Sequence, residues 1–584
     1  MRLEDYWGIG PKTRDLLTEE LGVPDAINAI ESRDVRTLTD AGLPRGRATR
    51  ILRYASGGDA MDVLATSDAR SVYKQLLESI SAHAVTETAA DRIRILTPLE
   101  TRDEIERRLD RVLDARESWD GLSETEREDV CEVFERYDER GGRRATVETA
   151  LSLARLDLPG ELFDPLSALE TDVLEDASAA LLGLGGSGRR VETGADETLD
   201  DLREQLGTVE DLAATPDTVL EAVQSGAREV TELREELSRY VSAETDVDVV
   251  QIRDAMPTEA ADAREFVGET LRTLVSDIRS EVDEREQTVV SAFEATLEDA
   301  DEDIEAAVAA VERIGLSVSL ARFAREFDLA RPVIRDSPVA GVVNARNVFL
   351  EAADESVQPV TYAVGNHDLR VRGAARPPQD DRVAVLTGAN SGGKTTLLET
   401  LCQIQLLAQM GLPVPAEQVE IHLVDSIVFH RRHASFNAGV LESTLRSVVP
   451  PVTESGRTLM LVDEFEAITE PGSAANLLHG LVTLTVERDA LGVFVTHLAD
   501  DLEPLPAEAR TDGIFAEGLT PDLELEVDYQ PRFGSVGRST PEFIVSRLVA
   551  DASDPQTRAG YEKLAVAVGE QAVQRTLADV RWQE

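Results

Sequence analysis

The sequence contains few cysteines and no long apolar run. Its two cysteines, Cys131 and Cys402, lie far apart, which excludes a disulfide framework and is typical of a protein from a reducing cytoplasm. It has no stretch of about 18 apolar residues that would predict a transmembrane helix. The first ten residues, MRLEDYWGIG, lack the basic stretch and apolar core of a secretory signal. We therefore expect a cytoplasmic protein with no membrane partner.

Lysine is also scarce, because only four of the 59 basic residues are lysine. Asp and Glu together number 112, and the formal net charge is −53. An acid-rich, lysine-poor chain is typical of a halophilic archaeon, in which molar salt shortens the screening length to about 3 Å and weakens repulsion of DNA. GC-rich coding is the alternative explanation for the missing lysines, but it leaves the excess of acid unexplained. Two of the four lysines, Lys12 and Lys394, lie in segments that we expect to contact phosphates.

Residue patterning predicts several domains, because 584 residues are too many for a single core. Apolar residues repeat at helical spacing over 230–241 and 267–282, which predicts long paired helices or a coiled coil. From about residue 345, short apolar strands alternate with helices, which predicts an α/β domain. The glycine-rich stretch 183–188 has no strand before it and is interpreted as a flexible connection. The predicted domains are an all-α hairpin unit at 1–57, the first part of an all-α core at 58–195, long lever or coiled-coil helices at 196–312, the helical return of the core at 313–345, an α/β P-loop domain at 346–537 and a helical C-terminal segment at 538–584.

A glycine-rich loop between a strand and a helix predicts a phosphate-binding site. The apolar run 383–387 precedes a GxxxxGK[ST] pattern and a helical pattern follows it, as such a loop requires. Glycines let backbone N–H groups face phosphate oxygens, and the new helix adds its positive N-terminal end. We expect Lys394 to neutralise the β- and γ-phosphates of ATP and Thr395 to bind Mg²⁺. The predicted nucleotide-binding segment is Gly388, Ala389, Asn390, Ser391, Gly392, Gly393, Lys394, Thr395 and Thr396.

Two further strands end in polar residues that suit ATP hydrolysis. The apolar run 458–462 ends in Asp463 and Glu464, and we expect the former to join the Mg²⁺ shell and the latter to polarise the attacking water. The run 492–495 ends in Thr496 and His497, and His497 is a candidate catalytic sensor of the γ-phosphate. Ligands of open α/β sheets bind at the carboxyl ends of strands, so we expect these residues to converge on one edge.

Two glycine-containing turns near the N-terminus resemble helix-hairpin-helix motifs. Residues 8–13 (GIGPKT) and 41–47 (AGLPRGR) each precede a helical pattern. Such a turn lets backbone N–H groups face a phosphate, so we expect a clamp on the DNA backbone without base readout. The alternative is a hairpin pair that only packs against protein. The predicted DNA-binding residues are Gly8, Gly10, Lys12, Arg45, Arg47 and Arg50.

The segment that follows the glycine-rich loop resembles the MutS superfamily of ATPases. The resemblance is carried by 408–417 (AQMGLPVPAE), 424–427 (VDSI) and 434–436 (ASF). It implies an ABC-type ATPase that works as a homodimer, with the C-terminal segment in dimerisation and a serine of one subunit at the γ-phosphate of the other. Ser435 is the candidate for that serine, and Tyr362 is the candidate for the aromatic ring placed against adenine.

Weaker resemblances extend to the helical regions. Pro98 and Leu99 with the helix after them, and the stretch 319–332, resemble parts of the MutS core and its lever helices. The mismatch-reading domain and the Smr-type nuclease motif are not found in the sequence. This combination resembles the archaeal branch of the second MutS type, which implies an ATPase that binds DNA without mismatch specificity, in repair or recombination. The preference among duplex, branched and mismatched DNA stays open.

Two other functions remain as alternatives. An ABC-type ATPase of double-strand-break repair predicts a longer coiled coil and an LSGGQ-like signature. A DNA scaffold that binds ATP without turnover predicts the loss of the acidic pair, which is present here. The run 430–433 (HRRH) has too few companion ligands for a zinc site and is interpreted as a surface or subunit-interface turn.

Overall fold

The computed structural model describes residues 2–185, 190–224, 230–372, 376–388, 393–432, 438–454, 456–465, 471–519, 525–537, 541–568 and 573. These residues form two compact units. The first unit comprises Met1–Cys131, Pro159–Leu162 and Glu312–Glu584, and the second comprises Glu132–Leu158 and Phe163–Val311. Among the helices of the described chain, none is both long enough and apolar enough to cross a membrane.

The N-terminal part of the first unit is a four-helix cluster. Gly8 and Gly42 precede the first and fourth helices, and both have positive φ values, +81° and +89°, which glycine adopts without strain. Pro11 begins the first helix, and the Asp34 carboxylate caps the third by accepting from the Thr37 N–H at 3.0 Å. The helices are α1 Pro11–Glu20, α2 Val23–Glu31, α3 Val35–Asp40 and α4 Arg45–Gly57.

Four further helices follow this cluster along the chain. Threonine side chains cap α5, α6 and α7, since Thr66, Thr86 and Thr101 each accept a backbone N–H of the first turn. The residue ranges of α8 and α17 cross the boundaries between the units. The helices are α5 Ser67–Ser81, α6 Glu87–Arg94, α7 Arg102–Gly121 and α8 Glu124–Arg140.

The second unit is all-helical and is organised along the 37-residue helix α16. At 1.5 Å per residue this helix is roughly 55 Å long. The apolar stripe that the sequence predicts over 267–282 is buried, and it packs in one cluster with Leu237 and Val241 of α14. The helices are α9 Gly142–Arg155, α10 Asp164–Ser167, α11 Thr171–Gly183, α12 Glu197–Ala214, α13 Pro216–Gln224, α14 Val230–Thr245, α15 Val249–Asp254, α16 Ala263–Asp299 and the first part of α17 Asp301–Glu326, whose residues from Glu312 onward belong to the first unit.

The α/β part of the first unit contains a four-stranded and a six-stranded sheet. The first has the strand order β1-β5-β2-β3, and its strands are β1 Val333–Arg335, β2 Val339–Ala345, β3 Val360–Gly365 and β5 Gln418–His422. The second has the order β10-β9-β4-β8-β7-β6, and its strands are β4 Val383–Gly388, β6 Ser426–His430, β7 Thr458–Asp463, β8 Leu491–Val495, β9 Ala509–Leu519 and β10 Leu525–Phe533. The helices are α18 Val348–Ala352, α19 Gly393–Gln409, α20 Ala438–Glu454, α21 Pro471–Glu487, α22 Pro541–Asp551 and α23 Pro555–Val568.

The strand positions correct the expected helical return at 313–345. The helix α17 ends at Glu326, and β1 and β2 already belong to the four-stranded sheet. A short apolar run such as 339–343 has no periodicity that separates a strand from a buried helix. Its pairing with β3 and β5, 15 or more residues away along the chain, decides the structure.

Candidate active site

The central strand of the six-stranded sheet leads into the glycine-rich loop. Strand β4 lies between β8 and β9, parallel to both, and ends at Gly388 with a φ of +128°. A Cβ at Gly388 would overlap the carbonyl oxygen of Ile514 on β9, so only glycine fits here. The helix α19 begins at Gly393. The predicted loop residues between them, Ala389, Asn390, Ser391 and Gly392, lie outside the described residues.

Lys394 lies in the first turn of α19 with its side chain buried. Its residue is 4% exposed, and its Nζ donates to the carbonyl oxygen of Gly388 at 2.7 Å. The ammonium group is therefore held at the end of the loop where phosphates are expected. Thr396 follows in the same turn and is half-buried.

Thr395 meets the acidic residue at the end of β7. Its hydroxyl Oγ1 donates to Oδ2 of Asp463 at 2.6 Å. One hydroxyl oxygen and one carboxylate oxygen suit Mg²⁺, which takes few protein ligands and completes its octahedron with waters and substrate phosphates. The described residues contain no group of three His, Cys, Asp or Glu side chains that would hold a metal without such phosphates.

Glu464 lies one residue beyond β7 in an uncommon backbone conformation. Its φ is +42°, in the left-handed region where a non-glycine residue is strained, and its N–H donates to the Val495 carbonyl oxygen at 3.0 Å. Its Oε1 lies 2.8 Å from Nε2 of His497, which follows β8. The hydrogen bond from His497 lowers the pKa of Glu464, with a smaller contribution from the charge of Arg432. The carboxylate is thereby kept ionised.

Arg432 is a member of this site that the sequence does not predict. Its Nη1 lies 2.7 Å from Oε2 of Glu464, so both carboxylate oxygens have a partner. Its neighbour Arg431 forms an ion pair with Glu399 of α19, and its backbone N–H donates to Asp68 of α5 at 2.8 Å. The described part of the HRRH segment, 430–432, thus contacts the candidate site and the core within its own chain. His433 lies outside the described residues.

Tyr362 is not placed to hold adenine. The residue is 0% exposed, and its hydroxyl donates to Oδ2 of Asp512 at 2.9 Å. Arg510 lies over its ring at 5.7 Å and pairs with the same aspartate at 3.0 Å. The sequence correctly suggests an aromatic residue near a strand, but β3 turns this ring into the core, where no face is open to a nucleotide.

Tyr529 of β10 is the aromatic residue that lies beside the loop. Its side chain packs so closely over Gly393 that a Cβ at that position would overlap the ring. The residue is 36% exposed. The sequence contains no signal for this placement, because β10 and the start of α19 are more than 130 residues apart.

The N-terminal hairpins present only some of their predicted residues. Gly8 has the expected positive φ and Gly10 caps α1, with Lys12 exposed in its first turn. Arg47 and Arg50 are exposed on α4, and Arg50 lies 5.9 Å from the ring of Trp7.

Arg45 departs from the predicted set. Its guanidinium forms ion pairs with Glu87 at 2.6 Å and Asp91 at 2.7 Å, both on α6. These contacts hold the second hairpin against the helical core, so this arginine has an intramolecular role.

The geometry defines a class of protein before any comparison is made. A strand followed in the sequence by a glycine-rich segment and a helix, with a buried lysine, a Thr–Asp pair and a Glu–His pair at one sheet edge, is typical of P-loop nucleotide-binding proteins. Residues 384–502 match the family described as MutS domain V, which is an ABC-type ATPase domain. The α/β part of the first unit therefore contains a MutS-type ATPase domain. Ser435, the candidate serine in trans, lies outside the described residues.

Relatives of three kinds share this region. The chain is 43% identical over 228 residues to the DNA-binding protein MutS2 of Pyrococcus furiosus, covering 39% of each chain. It is 32% identical over 184 residues to the endonuclease MutS2 of Thermus thermophilus, covering 30% of this chain and 24% of that one. It is 31% identical over 195 residues to the DNA mismatch repair protein MutS of Bacteroides thetaiotaomicron, covering 32% and 22%. The matches thus span about two fifths or less of these relatives.

Proposed function

We propose that this protein hydrolyses ATP and couples the hydrolysis to DNA binding without mismatch specificity, in DNA repair or recombination. The observation that carries the ATPase part is the meeting of Lys394, Thr395, Asp463 and Glu464 at one sheet edge. Lys394 and Thr395 lie on α19, whereas Asp463 and Glu464 lie at the end of β7, so the fold brings the two pairs together.

The proposed roles follow from chemistry at each atom. The Lys394 ammonium, now on the Gly388 carbonyl oxygen, neutralises charge on the β- and γ-phosphates. Thr395 and Asp463 would hold one Mg²⁺, which when bound offsets charge that develops on the phosphates. Glu464 orients and polarises the attacking water, and His497 holds the Glu464 carboxylate while lying close to the γ-phosphate.

Tyr529 replaces Tyr362 in the proposal as the ring against adenine. It is the aromatic side chain that packs over Gly393, at the start of the phosphate-binding helix, and it is partly exposed. A flat apolar face beside the phosphates is suited to stack on a base. Exchange of Tyr529 for alanine should raise KM for ATP and leave kcat largely unchanged.

DNA binding is proposed for the hairpin turns. Gly8 and Gly10 leave the first turn of α1 open, and Lys12, Arg47 and Arg50 are exposed around the two turns. A relative in Pyrococcus furiosus is named a DNA-binding protein, which supports the same assignment. Contacts of this kind read the backbone rather than the bases.

A homodimer completes the proposal. The MutS resemblance implies that Ser435 of one chain reaches the nucleotide of the other and that the segment 538–584 contributes to dimerisation. A DNA scaffold that binds ATP without turnover remains the second candidate, and the held state of Glu464, with both oxygens occupied, is the observation that favours it.

ATP turnover in Glu464→Gln, compared with Lys394→Ala, separates these functions. We expect the glutamine variant to bind ATP as tightly as the parent and to lose turnover by about 10²–10⁴-fold, because it keeps the size of the side chain and one acceptor oxygen but loses the base. We expect the alanine variant to lose binding. Equal turnover in the parent and the glutamine variant would show that Glu464 is not the base, and absence of turnover in the parent with any DNA would favour the scaffold.

A further inference from the structure

A cavity of about 680 Å³ lies in the first unit between the end of α2, α6 and α7. Its wall carries an excess of positive charge, although the chain as a whole has a net charge of −53. Two carboxylates, Glu104 and Asp110, also line it. We call this pocket the arginine cavity. The arginines of its wall are Arg33, Arg92, Arg107, Arg108 and Arg111.

The carboxylates of the wall do not balance these arginines. Asp110 pairs with Arg331 outside the cavity, at 2.6 Å, and Arg92 is paired with Glu312. Across the described part of the chain, no ion pair includes Arg33, Arg107 or Arg111, although acidic residues outnumber basic ones by 112 to 59. Three guanidinium groups in one cavity thus have no acidic partner.

Backbone carbonyl oxygens accept hydrogen bonds from several of these arginines, of which Arg33, Arg107 and Arg111 are exposed. Arg33 follows α2 with a φ of +62°, and the Asp34 N–H donates to the Ala29 carbonyl oxygen at 2.8 Å, which closes the end of that helix. The Arg108 guanidinium donates to the Met410 carbonyl oxygen at 2.8 Å. Burial lowers the pKa of Arg108 to about 10, and the charges of Arg111 and Arg33 add to the effect. An anion in the cavity would relieve this repulsion.

We propose that the arginine cavity binds phosphate groups, presented either by a nucleic-acid backbone or by a free polyphosphate. Guanidinium groups donate paired N–H bonds that match phosphate oxygens, and they stay charged at any physiological pH. The nucleic-acid form of the proposal rests on the proposed function, whereas the free-polyphosphate form does not.

The cavity also adjoins the far end of the phosphate-binding helix. Arg108 contacts the carbonyl oxygen of Met410, directly after α19, and the Leu99 N–H donates to the Gln409 carbonyl oxygen at 2.8 Å. A Cβ at Gly411 would lie 2.9 Å from the Arg108 Cβ, so the helix end and α7 pack tightly. A ligand in the cavity could therefore alter ATP turnover through the contact between Arg108 and the end of α19.

The test compares Arg107→Glu/Arg111→Glu with Arg136→Glu/Arg155→Glu. Both pairs are exposed on helices and change the charge equally, but Arg136 and Arg155 pair with glutamates of the second unit. Binding of a fluorescent duplex and its single strand is measured by anisotropy. Binding of pyrophosphate is measured by calorimetry, in the Lys394→Ala background, which removes the contribution of the phosphate-binding loop. The milder Arg107→Ala/Arg111→Ala pair and thermal melting control for folding.

We expect the cavity variant to lose about tenfold or more in affinity for at least one probe, with the control variant unchanged. Loss for DNA alone assigns the phosphates to a nucleic-acid backbone, and loss for pyrophosphate alone assigns them to a free polyphosphate. Pyrophosphate binding that depends on Arg107 and Arg111 in a protein that binds no DNA would support the cavity and overturn the proposed DNA function. Unchanged affinity for every probe in the folded cavity variant, or absence of binding by the parent chain, would overturn the proposal.

Discussion

At the residue scale, the candidate base is held in a resting arrangement. Glu464 has His497 on one carboxylate oxygen and Arg432 on the other, and its backbone is strained. A water molecule that Glu464 is to polarise must therefore share a carboxylate oxygen with one of these partners or displace that partner. Arg432 is the more exposed of the two, since its side chain is 58% exposed and that of His497 is 31% exposed.

Removal of the exposed partner should release the base. In Arg432→Ala we expect ATP turnover without DNA to rise by about two- to fivefold, because an exposed ion pair is worth up to about 1 kcal/mol. Single-turnover kinetics measure the hydrolysis of bound ATP separately from product release. Arg446→Ala is the matched control, since Arg446 is exposed and forms an ion pair with Glu442 of its own helix. A fall in turnover would show that Arg432 assists catalysis.

The pH dependence of turnover tests the other partner. Since the hydrogen bond from His497 is the main cause of the lowered pKa of Glu464, the carboxylate of the parent stays ionised below the usual range. In His497→Ala that pKa should rise, and the acidic limb of the kcat profile should move to higher pH. Identical limbs in the two proteins would contradict this assignment of the limb to Glu464.

At the scale of elements, the arginines of the second hairpin divide between contacts within the fold and exposure to solvent. The second hairpin uses Arg45 to dock on α6, whereas the exposed side of α4 carries Arg47 and Arg50. The glycine of each hairpin faces the helix of the other, because Gly8 lies against Ile51 and Gly42 against Leu16. The pair thus folds as one body that positions both turns together.

DNA affinity should follow this division. Arg47→Glu/Arg50→Glu should weaken duplex binding regardless of sequence and reduce the slope of log K against log salt by about 1.8, or about 0.9 per lost phosphate contact. Arg36→Glu, exposed on α3, is the control. Arg45→Ala should instead lower the melting temperature. A salt slope that is the same in the double variant and in the parent would exclude the exposed arginines as phosphate contacts.

At the scale of the whole molecule, the ATPase domain and most of the long helices belong to different compact units. The helix α19 carries the proposed phosphate-binding residues at one end, and Met410, directly after its other end, contacts Arg108 of the arginine cavity. The all-helical second unit has its own core around α16. The two units thus have separate hydrophobic clusters, and the described candidate-site residues Lys394, Thr395, Asp463, Glu464 and His497 lie in the first unit.

Dimerisation should depend on bound ATP. We expect Glu464→Gln with ATP to have twice the chain mass of 63.6 kDa in light scattering, because trapped ATP keeps two ATPase domains together. Lys394→Ala with ATP should remain at the mass of the nucleotide-free protein. An ATP-trapped protein that stays monomeric would argue against a site completed in trans by Ser435.

Local patterns in the sequence determined much of the candidate site. The loop around Lys394 and the strand ends at Asp463, Glu464 and His497 were predicted because each depends on a short stretch of chain: an apolar strand, a glycine-rich turn or a polar residue at a strand end. The long helix α16 was predicted for the same reason, since its apolar stripe repeats every three to four residues.

Tertiary structure alone decided the partners of these residues. Tyr362 is buried and Tyr529 lies beside the loop because of how β3 and β10 pack, and neither orientation is encoded in the neighbouring residues. Arg45 pairs within the fold, Arg432 reaches Glu464, and the arginine cavity gathers side chains from α2 to α7. A contact between distant segments depends on the packing of whole elements, which residue patterns along one segment do not specify.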